Sequence, residues 1–497
     1  MKKFLPVLIF FVSAFTAKAQ TRYLDEVFSS VQVDTSIVYA QNYEFFTGFG
    51  SLQPLIMDVY RPAGDTATHR PLILLSHNGS FLPEVFTHGL AGLCFNGIKD
   101  SSTVELCKRF ARRGYVAVSF NYRLGWAATA SDQETRTKTI IQAVYRAMQD
   151  AKACVRYFKN DYAANSNSYG IDTGKIVIGG TNSGAYVALA AGSLNDSTEL
   201  SNLKFVGSQG PFIKQDTLGD FDGFGGVQNY SGNYPGISSR FECVLSLGGA
   251  VGDTSWIQTG EPPVIAFQGV NESGTPYNTA IVTTTTGQPV IEVSGSGDFM
   301  PYIDTKGNNN VFKPNSFLQG PPNRNGLGQQ TISIEGLYPF YGQYFEPWNW
   351  YDPNCYNNSQ QMQQLTDPIN SANWATPAKG NRYIDTIMGY TLPRLYKLFI
   401  NNSFSSWTWN GISETAPLTH VSLFPNPAAN EVTFTADDKP VTAVLLFDIA
   451  GRLVKESNGI NAFTKTISLT GLNSGVYLVS VKLAGGEVVN QKLMVEK

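Results

Sequence analysis

From Pro54 to about Ser183 the chain alternates short apolar runs with longer stretches whose apolar positions recur at helical spacing. Pro71–Ser76 is continuously apolar up to its last residue, as a strand buried on both faces should be. Glu105–Arg113 has helical character and stops at Gly114; Tyr115–Tyr122 then reads as the next strand. Gln133–Asn160 predicts a long amphipathic helix with Ala143, Ala147, Ala151 and Cys154 along one face. Lys175–Gly179 is again a buried strand, followed by a glycine-rich turn and a small-residue helix over Ala185–Ala191. Cys243–Leu247 and Pro263–Phe267 supply two more strands. The alternation predicts an α/β fold, a mostly parallel sheet with helices on both faces.

Other stretches break this rhythm. Residues 278–381 are rich in Thr, Gly, Asn, Pro and aromatics with little periodicity, and read as an insertion or cap. Tyr383–Ile400 has the spacing of a closing helix, and residues 403–420 read as a linker. Beyond it, Val432–Thr435, Ala443–Phe447, Thr466–Leu469 and Val476–Val481 are short strands between turn signals, a small all-β sandwich. At the other end, Lys2 and Lys3 precede an apolar run from Phe4 to Val12 that ends in Ala17-Lys18-Ala19, so residues 1–19 read as a secretory signal peptide. That run falls short of the ~20 apolar residues of a transmembrane helix, and no later run reaches that length. The domain plan is thus a signal peptide, a main domain over 20–402, a linker, and a sandwich over 421–497.

Composition narrows the function. A net charge of −3 without a Lys/Arg stripe gives no footprint for nucleic acid or anionic lipid. The five cysteines lack the C-x2-C spacing of a zinc site. Cys94 and Cys107 bracket a short loop and are either bridged or two buried thiols that never meet. Asp216, Asp220 and Asp222 before Gly223 resemble part of a Ca²⁺ loop, but no downstream Glu completes it, so a solvated acidic loop is expected and no metal or cofactor.

Two sets of motifs carry resemblances. Leu423–Pro427, Phe447–Arg452, Leu469–Leu472 and Ser474–Tyr477 match, in order and spacing, the C-terminal sorting domain of type IX secretion. The resemblance implies recognition of 421–497 by the type IX secretion machinery and a secreted or cell-surface location.

The second resemblance is to the α/β-hydrolases, carboxylesterase or lipase-like. It covers about Asp58–Tyr277 and resumes at Ile384, with Phe110–Tyr115, Asn121–Leu124 and Arg146–Asp150 as further hallmarks. That family places its nucleophile in G-x-S-x-G on a strained turn between strand and helix. Here the turn reads Gly180-Thr181-Asn182-Ser183-Gly184, with Asn182 at the nucleophile position, and Asn is no acyl-transfer nucleophile. Ser183 is the alternative nucleophile, one residue displaced. The H-G-G-x-F-like loop is matched by His77-Asn78-Gly79-Ser80-Phe81, which implies an oxyanion hole from Asn78, Gly79 and Ser183. Glu272 in Phe267–Tyr277 falls on the acid position. The family's histidine follows the acid, yet His69, His77 and His88 precede the turn and His420 lies in the linker; where that histidine is expected, around 332–340, stand Tyr338 and Pro339. Without a neighbouring base a Ser hydroxyl is a poor nucleophile at pH 7.

Three function classes follow: a noncatalytic hydrolase-fold protein whose cleft survives as a binding site for an ester or glycan, an active carboxylic ester hydrolase using Ser183, or a surface adhesion or scaffold protein. The aromatic group Tyr338, Phe340, Tyr341, Tyr344, Phe345, Trp348, Trp350 and Tyr351 reads either as a stacking platform for a sugar or as packing of the cap onto the sheet. Trp256 and Glu261 fall near the C-terminal edge of the sheet, where ligands bind in open α/β folds.

Overall fold

The computed structural model describes residues 20–86, 94–272, 274–313, 334–341, 345–358, 376–405, 421–436, 439–448, 451–485 and 488–496. The expected signal peptide, most of the linker, His88, His420 and Tyr344 lie outside the described residues. The chain divides into two compact units, Met1–Trp409 and Asn410–Lys497.

The first unit is built on eight strands: β1 (Val31–Tyr43), β2 (Leu52–Pro62), β3 (Arg70–Ser76), β4 (Val116–Phe120), β5 (Ile171–Thr181), β6 (Cys243–Leu247), β7 (Val264–Gly269) and β8 (Leu337–Phe340). Their order across the sheet is β1-β2-β4-β3-β5-β6-β7-β8. The pairings β1–β2 and β2–β4 are antiparallel and the rest are parallel. Every side chain of β3, β4, β6 and β7 is buried, which is why these strands read as unbroken apolar runs.

Helices cover both faces. α1 (Ser101–Arg112) and α4 (Pro377–Phe399) contribute Leu106, Phe110, Ile384, Ile387 and Leu395 to one core. α2 (Gln133–Ala164) and α3 (Ser183–Ser193) contribute Ala143, Ala147, Ala151, Val187 and Ala188 to the other. α2 begins where the Asp132 side chain accepts from the Thr135 N–H at 2.7 Å. It carries Asp150 beneath the loop after β4, where both carboxylate oxygens meet Arg123 and the pair is wholly buried. Deleting either partner would strand a buried charge. This pair fixes the loop that holds Tyr122.

Several expectations are corrected. The sheet begins earlier than Pro54, with β1 and β2. Residues 278–381 are not only a cap: they hold the hairpin of Thr279–Thr283 with Pro289–Gly295, the helix Ser296–Lys306, and the edge strand β8. Cys94 bonds Cys355, 261 residues away, whereas Cys107 is a buried free thiol on α1. Tyr338, Phe340 and Trp348 pack with Tyr383 and Tyr390 in the core under α4, so these aromatics serve packing. The acidic loop closes on itself, Asp220 accepting from Asp222 N and Phe224 N, and Asp222 pairs with Lys152.

The second unit is a sandwich of three strands, Val421–Phe424, Glu431–Ala436 and Thr464–Ser468, and four strands ordered Leu453–Ala462, Val441–Phe447, Gly475–Leu483, Val488–Val495. Val432, Phe434, Val444, Leu446, Val479 and Val481 fill its core. Among the described residues no helix is long and apolar enough to cross a membrane.

Candidate active site

The site forms where β5 turns into α3. Asn182 sits between them at φ 43° and ψ −106°, a conformation that side-chain-bearing residues rarely adopt. Its N–H is held by the Leu247 carbonyl of β6 at 2.7 Å. The turn is this tight because β3, β5 and α3 nearly touch. A Cβ on Gly184 would lie 2.1 Å from the Ser76 carbonyl oxygen, and one on Gly180 would lie 2.4 Å from Gly184. The Ser76 hydroxyl donates to the Gly179 and Gly184 carbonyls and ties the three elements together.

Asn182 thus stands at the apex, and its side chain points to Glu272 in the loop after β7. Asn182 Nδ2 donates to Glu272 Oε1 at 2.6 Å. Both side chains are buried, and Asn182 Oδ1 and Glu272 Oε2 have no further partner among the described residues. Burial, reinforced by the charge of Glu346, pushes the Glu272 carboxyl well above its usual range.

Ser183 points elsewhere. Its hydroxyl lies 3.1 Å from Asn78 Oδ1 and 3.1 Å from the Tyr122 hydroxyl, which itself donates to the His77 carbonyl at 2.9 Å. Asn78 Oδ1 also accepts from Gly79 N at 2.7 Å and from Ser183 N at 3.4 Å. Two of the three backbone donors expected to face a substrate oxygen, those of Gly79 and Ser183, are therefore directed at a side-chain oxygen of the chain itself. Four interactions define the orientation of the Asn78 amide, because its Nδ2 donates to Glu346 Oε1 at 2.8 Å. In this loop Gly79, Ser80 and Phe81 take positive φ, at 145°, 52° and 57°, and Asn78 does not.

Glu346 is the site residue that sequence reasoning missed. It lies just beyond β8, past the stretch 332–340 where a histidine was sought. Its carboxylate accepts from Asn78, from Asn349 Nδ2 at 3.1 Å and from the Tyr351 hydroxyl at 2.7 Å. Burial outweighs these bonds and pushes its pKa up to about 7. Neither Glu272 nor Glu346 meets a cationic side chain among the described residues. Its only sequence signal is a lone acidic residue in an aromatic stretch directly after a strand.

The described imidazoles are His69 and His77. The His77 ring stacks on Tyr122 at 4.8 Å, its Nδ1 meets the Asn78 carbonyl, and burial lowers its pKa to about 4, so it is neutral. No group of three or more metal-ligating side chains gathers among the described residues.

Asn78, Asn182 and Ser183 close one end of a cavity of about 480 Å³. Its walls are otherwise mostly apolar, with Trp126, Ile140, Val144, Ala190 and Phe205 among them, and the hairpin after residue 278 adds Val282, Val290, Ile291 and Val293 to the lining. Trp256 is part of this wall, stacked on Phe205 at 5.3 Å. Glu261 is not; it lies beside Asn195, and burial pushes its pKa up to about 8.

The strand order and the strained turn after β5 define an α/β-hydrolase fold. Comparison with known families agrees: residues 57–223 match the family model described as BD-FAE, and residues 422–496 match the secretion system C-terminal sorting domain. The hydrolase unit is thus similar to the BD-FAE esterases over residues 57–223, and the chain carries a C-terminal sorting domain. That domain implies interaction with the type IX secretion machinery and points to export or the cell surface.

Among solved structures, the chain is similar to esterase 2 of the Planctomycetes species Thermogutta terrifontis. The propionate-bound form is 15% identical, with a TM-score of 0.36 over 70% of this chain and 97% of that one. The butyrate-bound form is 16% identical, with a TM-score of 0.37 over 72% and 99%. The form phosphorylated by paraoxon is 17% identical, with a TM-score of 0.36 over 72% and 100%. A search of curated proteins finds no match.

Proposed function

We propose that this protein is a noncatalytic member of the esterase family, exported by its sorting domain, whose cleft serves as a ligand-binding site. The observation that carries the reading is Asn182 at the apex of the strained turn, bonded to Glu272 where a serine would be bonded to a base. An amide offers no nucleophilic lone pair at neutral pH, and Glu272 with its proton retained is no general base. Asn182 Oδ1 and Glu272 Oε2 both border the space over Gly248, lying 2.7 and 3.3 Å from where its Cβ would be. With Nδ2 donating to Oε1, a Glu272 that keeps its proton makes this a neutral amide–acid contact.

Ser183 does not replace the missing nucleophile. Its hydroxyl partners are the Asn78 amide oxygen and the Tyr122 phenol, and burial pushes the phenol pKa up, so neither takes a proton at pH 7. The oxyanion-hole donors are engaged by Asn78 Oδ1, so a tetrahedral oxyanion would have to displace it.

The test is hydrolysis of p-nitrophenyl acetate and butyrate by the mature chain, beside Asn182→Ser and Ser183→Ala. The expected result is no turnover above buffer for any of the three, since Asn182→Ser supplies a hydroxyl without a base. Native turnover that disappears in Ser183→Ala would overturn the reading.

A further inference from the structure

We infer that the cavity takes an uncharged, hydrocarbon-like ligand with no hydrogen-bonding head group, a conclusion that rests on the noncatalytic reading and specifies what its cleft holds. In a working esterase the closed end of such a cavity offers free N–H donors to a carbonyl. Here two of those donors face the chain itself. Gly79 N and Ser183 N are directed at Asn78 Oδ1, the Ser183 hydroxyl lies between Asn78 and Tyr122, and Asn182 is paired with Glu272.

The same holds along the buried walls. Trp126 Nε1 donates to the Ser80 carbonyl at 2.9 Å and Trp256 Nε1 to the Glu199 carbonyl at 2.9 Å. The Tyr145 hydroxyl donates to the Gly219 carbonyl at 3.0 Å. What remains for a ligand to touch is mostly aliphatic and aromatic surface. A carbonyl brought to the closed end would leave water and find the Gly79 and Ser183 N–H groups engaged, a desolvation cost that an apolar ring or chain does not meet. Cavities lined this way stay dry and take apolar molecules.

The experiment titrates the mature chain with pyrene and with 1-acetylpyrene, which adds one carbonyl acceptor to the same ring. Binding is read by energy transfer from protein tryptophan and by the polarity-sensitive vibronic bands of pyrene. The expected result is saturable pyrene binding, with 1-acetylpyrene at least about tenfold weaker. Asn78→Gly frees both backbone donors and is expected to close that gap about tenfold, read as the ratio of the two affinities in the same variant; its melting curve establishes that it is folded. Equal or tighter binding of 1-acetylpyrene by the native chain, no saturable pyrene binding, or an unchanged gap in folded Asn78→Gly would each overturn the inference. Turnover of p-nitrophenyl butyrate would instead overturn the noncatalytic reading beneath it.

Discussion

Asn182→Asp is expected to destabilise the hydrolase unit by about 3–5 kcal/mol at pH 8 and by much less at pH 5. The substitution is nearly isosteric, so the strained turn and the surrounding packing are kept. What changes is the partner of Glu272, whose Oε1 lies 2.6 Å from Asn182 Nδ2. A donor becomes a second carboxyl in a wholly buried position, without a cation among the described residues to compensate either charge. At pH 5 one retained proton bridges the pair. At pH 8 the unfolded chain ionises both groups freely and the folded chain resists, so the variant loses stability as pH rises. Chemical denaturation at the two pH values measures this. Equal losses at both would show that the amide matters for its shape and not for its neutrality.

Glu346→Gln is expected to act in the opposite direction. Glu346 holds its proton up to about pH 7 when folded, against a reference carboxyl near 4.5. A group with a raised folded pKa contributes stability that is full below the unfolded pKa and is lost as pH rises through the folded one. The native chain should therefore lose about 3 kcal/mol from this group between pH 4.5 and 7. Gln carries no proton to lose; its carbonyl oxygen at the Oε1 position keeps the bond from Asn78, while its NH2 at the Oε2 position donates to the Tyr351 hydroxyl and gives up the bond from Asn349. Between pH 4.5 and pH 8 the variant should therefore lose less stability than the native chain by about that amount. The slope will not vanish, because burial raises Glu272 and Asp100 as well, and both oppose ionisation in the same direction. A pH–stability curve identical to the native one would remove Glu346 from this account.

Much of the fold was legible because the central strands are buried on both faces. β3, β4, β6 and β7 announce themselves as apolar runs, and the turn after β5 as a cluster of glycines forced by the Ser76 contact. β8 left almost no signal: it has four residues, one of them Pro339, and lies at the sheet edge where little pairing constrains composition. β1 was equally obscure, since all of its first eight side chains are half-buried or exposed. The Cys94–Cys355 bond joins residues 261 apart, and connectivity over such a span is decided by the fold, not by local spacing.

The site divides in the same way. Asn182, Ser183 and Glu272 could be found because their motifs are local, and their relation could not. That Asn182 faces Glu272 while Ser183 faces Asn78 depends on one residue of helical advance at the start of α3. The role of Asn78 was the least accessible. Its backbone position could be read from the loop pattern, but its side-chain oxygen reaching back to Gly79 N and Ser183 N is a three-dimensional fact. Glu346 was missed for a related reason, since its loop follows a strand too short to be recognised.

The measurement that tests the central claim most directly is intact-mass analysis of the mature chain after exposure to a fluorophosphonate, which phosphonylates an activated serine irrespective of substrate preference. The account predicts an unmodified mass for the native chain after prolonged incubation. A single stoichiometric adduct mapped to Ser183 would contradict it and make this protein a working serine hydrolase.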